Sequence, residues 1–209
     1  MLKLQHPKIP GDLTAIHFSE IEDTYVYQSV ISDCTIMEED FGRLRFDQVV
    51  FKNVTFIDVS IENLELVDVI FEKCDLSNMD FTRGSFHRVE FLESKLIGVS
   101  FSEASLGNVL FSDSILNLCS FSYAKLNQVR LDTCSLRHAD FYETKLSKID
   151  LKTCDLHEAT FAHTPLKGVD LSTSHFERIT ATIDDLAGCE VTSEQAIGFA
   201  RLMGLIIKE

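Results

Sequence analysis

The chain has no tryptophan, only three prolines and nine glycines in 209 residues, and 19 Lys and Arg against 33 Asp and Glu. Each shortage excludes something. A formal net charge of −14 argues against direct nucleic-acid binding, because a binder must supply cations to neutralise phosphates. No apolar run is long enough to span a membrane, and the start, MLKLQHPKIP, lacks the apolar stretch of a signal peptide. A cytoplasmic chain without membrane contact is expected. None of the six cysteines stands in CxxC zinc spacing, and no glycine-rich phosphate loop occurs. The histidines at 87, 138, 157, 163 and 175 have no nucleophile and base arranged around them. The sequence therefore implies neither enzyme nor cofactor.

What is present is a beat of five. From Ile16 to Phe176 every fifth residue is apolar, 33 positions without a slip of frame. A helix repeats its apolar face every 3.6 residues and a half-buried strand every 2, so neither holds a five-residue period. A coil with four equal sides does. From Phe46 onward the residue two places before the centre tends to alternate between large (Val49, Val59, Val69, Met79) and small (Cys74, Gly84, Ser94, Ala104), as filling a narrow cross-section requires. Cys34, Cys74, Cys119, Cys134 and Cys154 occupy this inward slot and read as small buried thiols. Cys134 and Cys154, 20 residues apart, should stack closely enough to permit a disulfide. Glu39 falls on the same inward slot, which predicts irregularity near residues 36–45.

The tandem A/C/S/V-[DN]-[LF]-x-x quintets resemble the pentapeptide-repeat family over about residues 14–180. The resemblance implies an all-β fold, a right-handed quadrilateral β-helix in which four quintets close one coil and residues 20 apart stack. With coils spaced like neighbouring strands, at about 4.8 Å, about eight coils would form a rod of roughly 40 Å, a solenoid with a core one side chain deep. Residues 1–13, which carry Pro7, Pro10 and Gly11 and none of the beat, are read as an N-terminal arm or cap.

Sorted onto four sides, the outward charges segregate. The side centred on Ile21, Phe41, Ile61 and onward to Phe161 carries Glu20, Glu22, Asp23, Glu39, Asp40, Glu62, Asp80, Glu103, Asp140 and Glu143 against Arg43 and Arg83. The opposite side, centred on Ile31, Phe51 and onward to Leu171, has eight acidic and four basic residues. The side centred on Val26, Phe46 and onward to Leu166 is net positive. Residues 1–80 hold 16 acidic and 6 basic residues, residues 81–160 hold 10 and 9.

After Phe176 the beat fails. Thr192 and Gln195 have capping-box spacing ahead of an apolar helix, and Gly204 is placed to end it. Residues 181–209 are read as a helix and strand that cap the rod and dimerise it through Ala196, Phe199, Ala200, Leu202, Met203, Leu205, Ile206 and Ile207, since this surface is more apolar than a lid requires. The strings LKGVDLSTSHFERIT, VTSEQAI and GLII, with RGSFHRVEFL at 83–92, are similar to the Qnr-type branch of the family. That resemblance implies a homodimer joined at its C-termini that binds DNA gyrase or topoisomerase IV and protects them from quinolones, the ten acidic residues imitating DNA. Many Qnr proteins carry projecting loops, whereas the frame from 46 to 176 has no insertion, so the match is to loop-less members. The alternative is an acidic interaction solenoid that meets another basic protein.

Overall fold

The computed structural model describes residues 2–21, 24–61, 63–202 and 204–208, with Arg201 and Leu202 described by backbone alone. The five-residue beat becomes a coil because one residue per quintet turns the chain. Gln28, Asp33, Glu38 and then Gln48, Asn53 and Asp58 adopt φ of 46–58°, and the same left-handed corner recurs at residue numbers ending in 3 or 8 as far as His163. A left-handed L-residue costs about 1–2 kcal/mol. Cross-coil hydrogen bonds help offset that cost, since the corner amides of Lys73, Arg83 and Glu93 donate to Leu92, Ser102 and Ser112 carbonyls at 2.9–3.0 Å.

The chain runs as β1 (Thr14–Ala15), a 3-10 turn (Phe18–Glu20), β2 (Tyr25–Met37), β3 (Asp40–Phe41), β4 (Arg45–Ile57), β5 (Ser60–Ile61), β6 (Glu65–Glu72), β7 (Ser85–Leu92), β8 (Ser105–Ser112), β9 (Lys125–Asp132), β10 (Lys145–Lys152) and α1 (Ser193–Leu202). All but β3 and β5 form one eight-stranded parallel sheet that folds around two adjacent sides of the coil. From β2 to β10 every partner is 20 residues away, for example Val26↔Phe46 and Leu126↔Leu146. The unbroken register confirms the four-sided coil and the absence of an insertion.

Inside, the centres stack. Phe51, Phe71, Phe91 and Phe111 form one column with ring centroids 4.8–4.9 Å apart, and Phe101, Phe121, Phe141 and Phe161 another at 4.8–5.0 Å. This is the spacing of hydrogen-bonded strands. The small inward slot does more than save space. The amides of Cys74 and Ser94 donate to the hydroxyls of Ser94 and Ser114, and Thr144 N–H donates to Thr164 Oγ1. The hydroxyls in turn donate to carbonyls, as Ser94 does to Leu92 at 2.8 Å. Ser94 and Ser114 thereby satisfy the buried Cys74 and Ser94 amides, which an alanine would deprive of that partner. Burial pushes the Cys74 thiol up to about 11 and the Cys119 thiol to about 12, and all six cysteines are free, with no Cys134–Cys154 disulfide.

Both ends depart from the sequence reading. At the N-terminal end β1 pairs with β2 at an offset of 15, Thr14↔Ser29 and Ala15↔Val30, so Ile16 is one side out of its expected place. The cause is Phe18, an off-beat residue that is 5% exposed and packs its ring against Phe41, Phe46 and Phe56. Glu39 is half-exposed rather than buried, which relieves the predicted irregularity. At the C-terminal end parallel pairing runs beyond residue 180, through Asp170↔Glu190. Leu205–Ile207, expected as a strand, joins no ladder among the described residues.

Candidate protein-interaction faces

The acidic side is assembled from outward positions. Asp40 pairs with Ser60 across coils, and Asp80, Ser100, Ser120, Asp140 and Thr160 follow one another in a single file. Asp80 and Asp140 each accept the amide two residues on, Thr82 and Tyr142, at 2.9 Å. These carboxylates hold corners as well as charge. Glu20 accepts the His17 amide at 3.0 Å, Glu103 pairs with Arg83 at 3.1 Å, and Glu143 and Glu39 are exposed and half-exposed. Glu22, Asp23 and Glu62 lie outside the described residues. The side's other cation, Arg43, reaches away to Glu65 at 2.5 Å.

The opposite side contrasts with this. Four of its eight carboxylates are bridged along the rod: Lys52–Glu72 at 3.2 Å, Lys73–Glu93 at 3.8 Å, Arg130–Asp150 at 2.9 Å and Lys152–Asp132 at 3.2 Å. Each bridge links residues 20 apart. Among the described residues the acidic side has one such bridge of its own. Exposed pairs contribute little stability, but they do cancel local potential.

The C-terminal module sits on the last coil. Thr192 and Gln195 cap each other, with Thr192 N–H donating to Gln195 Oε1 at 2.9 Å and Gln195 N–H to Thr192 Oγ1 at 3.1 Å. Gln195 Nε2 also donates to the Leu171 and Ser174 carbonyls at 2.9 Å, and Phe199 meets Phe176 at 5.7 Å. Of the residues expected to dimerise, Phe199 and Ala200 are half-buried and Ala196 is exposed. Met203 and the Leu202 side chain lie outside the description. Leu205, Ile206 and Ile207 are 55%, 91% and 40% exposed. Ile197, an apolar residue of α1 left out of the expected dimer surface, is 44% exposed.

A third surface was not foreseen. Residues 2–13 neither cap the end nor leave the rod. They lie lengthwise on the corner between the positive side and the bridged acidic side, running against the direction of coiling. Arg130 donates to the Leu2 carbonyl at 2.6 Å, and Gln128 to the Lys3 carbonyl at 3.2 Å. Gln5 N–H donates to Asn108 Oδ1 at 3.0 Å, and Lys8 N–H to Asp68 Oδ1 at 2.9 Å. His6 Nδ1 lies 2.6 Å from Glu90. Asp68 is itself clamped by Arg88, which donates through Nε and a terminal nitrogen at 2.5 and 2.6 Å. Burial pushes the Asp68 carboxyl's pKa up, but Arg88 and the Lys8 amide outweigh this and hold it below its usual range.

Residues 84–161 match the sequence model of the pentapeptide repeat region. Within that segment the four-sided coil is a pentapeptide-repeat β-helix. No curated protein matches the chain. Among solved structures it is similar to a trypsin-treated variant of QnrB1, a plasmid-mediated fluoroquinolone resistance protein, at 18% identity over 93% of this chain and 96% of that one, with a TM-score of 0.49. It is also similar to HetL, a pentapeptide repeat protein involved in heterocyst differentiation regulation in the cyanobacterium Nostoc, at 16% identity over 79% and 86% of the two chains, with a TM-score of 0.42.

Proposed function

We propose that this chain is a Qnr-type, DNA-mimicking protein that binds a type II topoisomerase, DNA gyrase or topoisomerase IV, through its acidic side and protects it from quinolones. The reading has it act in the cytoplasm as a homodimer joined at the C-termini. The observation that carries it is the unequal neutralisation of the two acidic sides: four cross-coil bridges engage half of the carboxylates on one, while among the described residues the other has a single such bridge. Ten carboxylates over about eight coils of about 4.8 Å give roughly one charge per 4 Å, against about one per 1.7 Å of duplex DNA. A basic DNA-binding surface would meet a weaker but ordered imitation. The apolar 205–207 segment and Ile197, left exposed on a rod of charge −14, supply a surface for the second copy. The similarity of the VTSEQAI and GLII strings to Qnr-type tails supports the same reading.

The test compares sides at equal charge. Glu62, Asp80, Glu103, Asp140 and Glu143 are replaced by their amides in one variant, and Asp33, Glu72, Glu93, Asp113 and Asp132 in another. Binding to purified gyrase and protection of supercoiling against a quinolone are then measured at two salt concentrations. The first variant is expected to lose at least tenfold in affinity and the second much less, with salt weakening the wild type. Equal losses would reduce the effect to total charge. No gyrase binding by the wild type would leave the acidic solenoid to another basic partner.

A further inference from the structure

We propose that the corner lined by Asp68, Asn108, Gln128 and Arg130 is a binding groove for an extended peptide, held in this structure by the chain's own residues 2–13 and open to a partner segment of the same chemistry. The sides of a β-helix offer no free backbone for strand addition, since their amides and carbonyls already pair with the coils above and below. A lengthwise segment can therefore be gripped only by side chains. Here four of the five polar grips fall on the arm's main chain, two acceptors taking the Lys8 and Gln5 amides and two donors reaching the Leu2 and Lys3 carbonyls, while the fifth joins the His6 ring to Glu90. A grip on main chain is indifferent to sequence.

Selectivity comes from the apolar groups and from the His6–Glu90 contact. Leu2, Leu4, Pro7 and Ile9 of the arm are half-buried while Lys3, Gln5, His6 and Lys8 are exposed, an alternation that turns one edge to the rod. On the rod, Ile70 and Leu110 point outward in one file with Glu90 and Arg130, which touch the arm, and both are half-buried. The groove thus selects an extended segment of the form Leu-x-Leu-x-x-Pro-x-Ile with free amides at the first x after the second Leu and at the residue after Pro. The arm is tethered at β1, which gives it an effective concentration in the millimolar range. A free peptide competes only once the arm is weakened.

The experiment uses the full chain. Leu4→Asp with Ile9→Asp disables the arm and leaves the groove intact, and a fluorescent peptide of residues 2–13 is titrated by polarisation. The double variant is expected to bind at least tenfold more tightly than wild type, and adding Asp68→Asn and Arg130→Ala should erase the gain. A folded double variant that takes up no more peptide than wild type would overturn the proposal, as would binding that survives the groove substitutions. Amide exchange on the wild type gives an independent reading. The Gln5 and Lys8 amides should exchange by local release, at least a hundredfold faster than Val89 in the core; exchange at the same rate would mean that the arm leaves only on global unfolding and no groove ever opens.

Discussion

The two ends of the rod face the same difficulty, a one-side-chain-deep core that must stop somewhere, and they solve it in opposite ways. At the N-terminal end the first coil is shortened to 15 residues, Phe18 turns inward as a plug, and the remaining chain folds back along the corner. At the C-terminal end Gln195 ties α1 across the last coil, and the apolar surplus of Ile197 and Leu205–Ile207 is left facing solvent. One end packs its off-beat aromatic within the chain. The other leaves apolar side chains exposed. The charge differs as well, because residues 1–80 carry 16 acidic and 6 basic residues and so crowd the N-terminal end.

Removing residues 192–209 should break the comparison most completely. The last coil loses its lid and the proposed dimer its only joint, so light scattering is expected to show a change from dimer to monomer together with a large fall in melting temperature. A full-length protein that is already monomeric at micromolar concentration would show that the module is a lid alone, and the two ends would then differ less than proposed.

Phe18→Ala tests the other end. Truncating a buried Phe typically costs about 3–5 kcal/mol, and here it also removes ring contacts to Phe41, Phe46 and Phe56 at 5.3–6.5 Å. Denaturant unfolding should show that loss while light scattering shows no change in size. A change in size would mean that the N-terminal end also takes part in assembly.

The smallest expected effect is the dependence of the arm on pH. The Asp68 carboxyl is held below its ordinary value in the folded chain by Arg88 and the Lys8 amide, against the opposing effect of burial. Its contribution is therefore fully present above the ordinary carboxylate pKa of about 3.9 and is lost as pH falls through the lower folded value. The difference in melting temperature between wild type and Asp68→Asn should be constant at neutral pH and shrink as pH drops below about 4. A difference that holds unchanged in acid would show that Asp68 acts through packing rather than charge.

Much of this was legible in the residues. The frame from Phe46 to Phe161 dictated which side chains face inward, and the structure places each of those centres within the core except Leu146, which is half-buried. The capping box at Thr192 and Gln195 was likewise readable, because it depends on atoms three residues apart. The inward turn of Phe18 and the resting place of the arm were not read, although signals existed. An aromatic residue two places off the beat had no slot in the repeat, and Leu2, Leu4, Pro7 and Ile9 space apolar side chains along the arm.

The sequence by itself determined the coil, since a five-residue period admits one backbone solution that turns a corner per quintet and buries every centre. It also determined which residues share a side, because a fixed 20-residue register turns position in the chain into position on the surface. The tertiary structure alone decided what lies on those sides: which carboxylates are bridged by a cation one coil away, and where the non-repeating arm comes to rest. Those contacts join residues separated by 60 to 128 positions at the arm, and no local period carries that information. They follow from the shape and polarity of a corner that exists only once the coils have stacked.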